Sequence, residues 1–299
     1  MRRFFIIIAL LALSATFAQA QTEPTEQPMP TEAQEQPQQG QPQEQQPLFT
    51  MKPSPNNPEA LWDAAAAAYN AADYLTAIEY YTTILDGGHH SAELYYNLAN
   101  AYFKLGQQID AVRHFADGEL GRAVLNYHRA LRLNPAMEDA RYNLEIAVDH
   151  TNDTDGLPHS FIVTLWHALR NAMTANGWTV LSLVMLATLL TLTMVYLLSE
   201  RIALRKVCFF TSLVLGVCLI LSTTLAASSH YAIKNDTRAV VLCHDTTPVH
   251  ASPDSASKII RQPSQGVTVR IARSHGEWSE IIFTDGEKGW IRSAIIERI

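Results

Sequence analysis

Residues 92–107 read AELYYNLANAYFKLGQ, and residues 121–135 read GRAVLNYHRALRLNP. In the first stretch Leu94, Tyr95, Leu98, Ala99, Tyr102 and Leu105 recur with the spacing of a helix that buries one face. Upstream, the same pattern runs through Trp62, Tyr69, Tyr74, Ala77, Tyr81 and Ile84 and breaks at Gly87-Gly88. It begins at Asn57-Pro58, where Asn suits the cap and Pro the first turn, because a helix does not use its first N–H groups. The register is what decides the fold. Ala77 to Ala111 is 34 residues, and so is Tyr81 to Phe115. A fixed period of this size marks stacked helical hairpins, with a small residue where two helices touch and an aromatic filling the gap beside it. The register breaks once, since Tyr96-Asn97-Leu98 returns as Tyr142-Asn143-Leu144 after 46 residues, and Ala111…Phe115 is echoed 12 residues later as Ala123…Tyr127. About a dozen extra residues are therefore expected near 108–120, with Asp117-Gly118 as a break.

With DARYNLEIA (139–147), these stretches resemble the tetratricopeptide-repeat (TPR) family over about 58–149. The resemblance implies an all-α TPR solenoid at 58–150. His89 replaces the usual terminating Pro of the first repeat, and Glu145 at a usually small position implies a capping last helix. TPR stacks bind peptides on a concave surface, and the resemblance places Tyr96, Asn97, Asn100 and Lys104 there, continued by Tyr142 and Asn143. Asn amides and a Lys ammonium can hold a peptide backbone or a terminal carboxylate. The plainer alternative is that the Tyr residues pack and the Asn residues are merely exposed.

The chain opens with Arg2-Arg3, an apolar run from Phe4 to Leu13, and Ala18-Gln19-Ala20, the pattern of a secretory signal peptide over 1–20. Residues 21–57 are a linker expected to be disordered: Gln, Pro and Glu dominate, and Glu23–Gln46 holds no aromatic or branched aliphatic residue to bury.

Two uncharged stretches, 178–198 and 207–227, are each 21 residues long and match a hydrocarbon core of ~30 Å at ~1.5 Å per residue. Between them the loop 199–206 carries Arg201, Arg205 and Lys206, which should face the cytoplasm. A two-helix transmembrane hairpin follows, with what flanks it on the exported side. Residues 158–175 place Phe161, Leu165, Trp166 and Leu169 on one face, which suits an interfacial helix, with a core helix as the alternative.

From 236 to 299 the pattern turns to strands, at Arg238–Cys243, Gly266–Arg273, Glu277–Phe283 and Gly289–Arg292. This segment resembles bacterial SH3 domains, through Ala239-Val240-Val241, Val249 with Pro253, Gly266-x-x-Val269, Trp278-x-x-Ile281 and Asp285-Gly286…Gly289-Trp290-Ile291. The resemblance implies an all-β SH3-like barrel whose relatives bind peptides or cell-wall material. Trp278 is the surface candidate, with capping of the barrel as its alternative, and Trp290 reads as core.

Catalytic readings fail on the residues themselves. Neighbours on a strand point to opposite faces, so Cys243-His244-Asp245 cannot supply a nucleophile and its base. His89-His90 lacks further ligands at metal spacing, and Asp153-x-Asp155-Gly156 has Thr164 where a calcium loop needs Glu. No enzyme activity, cofactor or metal is expected. A net charge of −7 argues against nucleic acid as a partner. Cys208 and Cys218 lie in an apolar run, which leaves Cys243, expected buried and reduced.

The order of parts resembles the BatE-type proteins of bacterial aerotolerance (Bat) operons. That resemblance implies an inner-membrane protein with periplasmic TPR and SH3 domains, acting with von Willebrand-factor-A-type Bat proteins and a MoxR-type ATPase. Two function classes follow: a scaffold that grips proteins, or an envelope sensor or anchor whose SH3 domain binds peptidoglycan.

Overall fold

The computed structural model describes residues 57–109, 118–151, 161–244 and 246–299, all within one compact unit, Thr50–Ile299. The expected signal peptide, nearly all of the linker, most of the extra residues near 108–120 and the Asp153-x-Asp155-Gly156 segment lie outside them.

Five helices come first, and short polar residues set their starts. Asn57 accepts a hydrogen bond from Ala60 N at 3.2 Å to cap α1 (Pro58–Asn70), and Asp73 accepts from Thr76 N at 3.2 Å to cap α2 (Tyr74–Asp86). Gly87-Gly88 ends α2, with Gly88 at φ +83, a value glycine reaches without steric cost. Ser91 Oγ accepts from Leu94 N at 3.1 Å as α3 (Ala92–Ile109) begins. Gly118 at φ +85 opens α4 (Glu119–Leu133), and α5 (Glu138–Asp149) follows Asn134-Pro135. Each helix packs on its neighbours in the chain. Ala65, Ala77, Ala99, Ala101, Ala123, Ala130 and Ala140 are wholly buried at these contacts, beside the buried rings of Tyr81 and Tyr127. The small-plus-aromatic signal at Ala77…Tyr81 and Ala123…Tyr127 thus marks the helix contacts; Ala111…Phe115 lies outside the described residues.

Next come α6 (Phe161–Asn171), α7 (Ala175–Leu198) and α8 (Ile202–Lys234). Thr174 caps α7 by accepting from Gly177 N at 3.0 Å, and Trp178 Nε1 donates to Arg170 O at 3.1 Å, tying α6 to α7. Both α7 and α8 are long and apolar enough to cross a membrane, and they lie against each other, joined by Ser182 Oγ and Ser222 Oγ at 3.0 Å. Many of their apolar side chains face outward, Leu197 at 73% and Phe210 at 64% exposed, while Leu225 and Cys208 are buried. The turn between them is only Ser199–Arg201, shorter than the 199–206 loop of the sequence reading, and Arg205 sits inside α8 with its guanidinium 4.8 Å from the Tyr196 ring. At 33 residues α8 is ~50 Å long, well beyond what a ~30 Å core requires. On α6, Ile162, Leu165 and Leu169 are exposed and Trp166 is half-buried.

The chain ends in a seven-stranded antiparallel sheet: β1 (Arg238–Val241), β2 (Val249–His250), β3 (Ile259–Arg261), β4 (Thr268–His275), β5 (Trp278–Ile282), β6 (Lys288–Arg292) and β7 (Ile296–Arg298). The order across the sheet is β3-β2-β6-β5-β4-β1-β7. The β4–β5 hairpin closes at His275↔Trp278 around Gly276 (φ +59), and β5 pairs Trp278 with Arg292 of β6. Of these strands, β2, β3 and β7 are two or three residues long, too short to show alternation in a sequence. Val241, Val249, Val269, Ile281, Phe283 and Ile291 fill the core.

β1 is buried on both faces. Ala239 and Val241 point into the sheet's own core, while Val240, with Ile299, joins the helical cluster of Phe103, Leu120, Val124 and Tyr127. Two glycines permit this approach. A Cβ on Gly121 would stand 2.9 Å from Val241 O and 3.3 Å from Gly266 N, and a Cβ on Gly266 (φ +83) would stand 2.9 Å from Thr151 Cγ2. Around the apolar contact, Gly121 N donates to Gln265 Oε1 at 3.3 Å and Arg129 pairs with Glu297 at 2.7 Å. A surface pair contributes at most ~1 kcal/mol, whereas a fully buried Val contributes ~1.5–3 kcal/mol, so the apolar seam dominates the docking. Gly121→Val should therefore lower the stability of the full-length chain by about 2 kcal/mol in denaturant unfolding, despite the gain in helix propensity. A rise in stability would show that α4 and β1 are not in contact.

Candidate functional site

Three helices bring the expected helical-face residues together. Tyr127 Oη on α4 donates to Asn100 Oδ1 on α3 at 2.6 Å. Asn143 Nδ2 on α5 donates to the same oxygen at 2.9 Å and lies 3.3 Å from Tyr96 Oη. The Tyr96 and Tyr127 rings lie 6.2 Å apart. Burial pushes the Tyr127 phenol well above its usual range, so the hydroxyl keeps its proton and remains a donor. Tyr96, Asn100 and Asn143 thus form one network that stitches the three helices. Asn97 is half-buried beside it. Lys104 is exposed and donates to Gln107 Oε1 at 3.2 Å, and Tyr142 is 66% exposed. The six residues therefore divide by position, with Lys104 and Tyr142 presenting the accessible chemistry. The sequence reading missed Tyr127 as a partner of the Asn residues, having used it only as a gap-filling aromatic.

On the sheet, Trp278 is half-buried between His250, whose ring meets it edge-on at 5.3 Å, and Arg292, whose guanidinium lies 5.4 Å from its ring centre. Trp290 is only 8% exposed, but it precedes the core residue Ile291 on β6 and pairs with Glu280, so its ring lies on the opposite face of the sheet, covered by Arg273 at 5.2 Å. An aromatic ring flanked by a cation and an imidazole has the chemistry to stack with a peptide or sugar ring.

Residues 244–297 match the bacterial SH3 domain family. The matched segment begins after β1, so the strand that docks the SH3 domain onto the helices lies outside it. No curated protein matches the chain.

Cys243 is half-buried and His244 exposed, while Asp245 lies outside the described residues. Among the described residues no group of three or more His, Cys, Asp or Glu side chains converges in a way that would hold a metal ion.

The seam between helices and SH3 domain holds two titratable groups of note. Arg238 grips Asp236 with Nε to Oδ1 at 3.0 Å and Nη2 to Oδ2 at 2.7 Å. Burial opposes the Asp236 charge, but the side-chain and backbone donors of Arg238 outweigh it and lower its pKa. Half-buried His128, with Nε2 3.3 Å from Thr268 Oγ1, is driven the other way: burial, then the Arg238 cation, hold its imidazole neutral down to about 3, against a smaller pull from Asp236. The unfolded chain takes up that proton near 6.5 and the folded chain only near 3, so in this window unfolding binds protons. Stability should fall as the pH drops from about 6.5, by up to about 1.4 kcal/mol per pH unit, the partly exposed ring making this an upper bound. Denaturant midpoints of wild type and His128→Gln from pH 7 to 4.5 check this: the variant should show the shallower slope, and equal slopes would contradict the assignment.

Proposed function

We propose that the chain is a non-catalytic, membrane-anchored scaffold that binds protein partners through a TPR-type helical surface and a bacterial SH3 domain. One observation carries this reading: the helical layer precedes the two apolar helices, the SH3 domain follows them, and the two pack together through β1. An antiparallel pair of spans returns the chain to the side it left, which is the topology that such packing requires. With the basic turn at Arg201, Arg205 and Lys206 facing the cytoplasm, both domains stand on the exported side, in agreement with the signal-peptide pattern at 1–20.

The register of Ala77…Tyr81 and Ala123…Tyr127 and the sequential packing of α1 to α5 support reading the helical layer as TPR repeats closed by α5. The order of parts supports a place in a Bat-type envelope assembly, with von Willebrand-factor-A-type proteins and a MoxR-type ATPase system as partners and aerotolerance or stress as its setting. The partner surface comprises Lys104 and Tyr142, with half-buried Asn97, while Tyr96, Asn100 and Asn143 hold its shape. A pull-down from detergent-solubilised membranes should capture specific membrane proteins with the wild type and at least tenfold less with Lys104→Ala/Tyr142→Ala, at unchanged thermal stability. Asn100→Ala should instead lower stability, because two donors lose their shared acceptor. Capture unchanged in the double variant would remove the helical face as the site.

The Trp278 cluster favours a second reading, an envelope sensor or anchor that binds peptidoglycan. Co-sedimentation of the full-length chain with purified cell wall, abolished by Trp278→Ala, would support it.

A further inference from the structure

A cleft of about 680 Å³ opens where α4, α5, α6 and the exported end of α8 meet the SH3 sheet. Five arginines line it, Arg132, Arg141, Arg170, Arg238 and Arg270, against a single carboxylate, Asp236. The concentration is unexpected in a chain of net charge −7. Asp236 is already engaged by Arg238. Arg132 is used by the fold, donating to the backbone oxygens of Ile299 and Ile233. Arg141, Arg170 and Arg270 have no carboxylate within salt-bridge distance among the described residues.

The arrangement carries a cost in the absence of an anion. Arg238 and Arg270 stand directly opposite each other on β1 and β4, a like-charge pairing that destabilises a sheet. Burial and the nearby Arg238 both disfavour the Arg170 cation. Ser229 supplies an independent sign. Along α8 the hydroxyls of Ser222, Thr223 and Thr224 each bond back to a carbonyl of the preceding turn, the usual solution for a hydroxyl in an apolar helix. Ser229, only 8% exposed and lining the cleft, does not; its Oγ has no partner among the described residues.

Depth identifies the occupant. Ser229 and Asn235 lie two and eight residues beyond the apolar stretch that ends at Ala227, hence ~3–12 Å above it. The headgroup layer of one leaflet is ~5–8 Å thick. Ala175, the first residue of α7, and Arg170 of α6 line the same cleft. We propose that this cleft binds a phosphate-bearing anion, the headgroup of an anionic phospholipid beside the two apolar helices, with Arg170 and Arg270 as phosphate ligands and the Ser229 hydroxyl as an added donor. Guanidinium forks match phosphate oxygens in pairs, so few arginines suffice for a selective site.

The proposal rests on the membrane-anchored reading, and the test separates the two. The full-length chain is reconstituted in nanodiscs of phosphatidylcholine containing 30% phosphatidylglycerol, released into detergent, and analysed by native mass spectrometry for retained lipid. Wild type should retain phosphatidylglycerol over phosphatidylcholine at least fivefold above the input ratio. Arg170→Gln/Arg270→Gln should lose that preference, Ser229→Ala should weaken it, and Arg273→Gln/Lys288→Gln, which removes two exposed charges of the sheet that do not line the cleft, should keep it. A second arm titrates inorganic phosphate onto the detergent-solubilised chain. Phosphate binding that the Arg170/Arg270 variant abolishes, without lipid selectivity, assigns the cleft to a soluble phosphate and overturns the lipid source. Equal lipid retention by wild type and the double variant, with no phosphate binding, overturns the site itself. A chain that fails to enter nanodiscs yet binds phosphate through these arginines overturns the membrane reading and leaves the cleft standing.

Discussion

β1 is buried on both faces and so belongs to the helical core and the sheet core together. Four residues, Arg238–Val241, complete two cores at once: Ala239 and Val241 on one side, Val240 on the other. Without that strand the SH3 sheet loses the pairing that links β4 to β7, and the helical cluster loses the side chain that closes it above Val124. At this seam backbone approaches Gly121 closely, while Gly266, at φ +83, meets the side chains of Thr151 and Val124. The helical layer and the sheet therefore share a packed seam and are not beads on a string. Any reading of the SH3 face or the helical face has to accept that their relative position is set.

That rigidity gives the two candidate surfaces their character. The amide network of Asn100 and Asn143 with Tyr96 and Tyr127 spends its hydrogen-bonding capacity inside the helical layer, which keeps three helices in register and leaves recognition to side chains that project beyond it. On the sheet, Trp278 is held between His250 and Arg292 and so presents a preset ring instead of one that must be ordered on binding. Under the proposed topology both surfaces stand at fixed heights above the membrane, as the proposed scaffold would require.

Much of this was legible in the residues. The caps at Asn57-Pro58, the helix break at Gly87-Gly88, the small and aromatic contact positions and the longer strands of the sheet all follow from local chemistry that a sequence displays. The docking was not read, although its trace is present: Ala239-Val240-Val241 is continuously apolar where a half-buried strand should alternate, the mark of burial on both sides. Asn100 and Asn143 lie 43 residues apart and looked like surface amides, because the tyrosine that joins them belongs to the helix between. The arginines of the cleft were illegible for the same reason. They come from α4, α5, α6, β1 and β4, form no motif, and are gathered only by the packing of elements remote in the chain.

The two-sided strand also has a consequence for how the protein is made. Val240 leaves the ribosome more than a hundred residues after Val124, with both apolar helices synthesised in between. Through that interval the helical layer has an unfinished surface around Leu120 and Val124, which no earlier part of the described chain covers. A nascent chain interrupted before Arg238 would therefore expose apolar side chains of the helical layer that the folded chain buries.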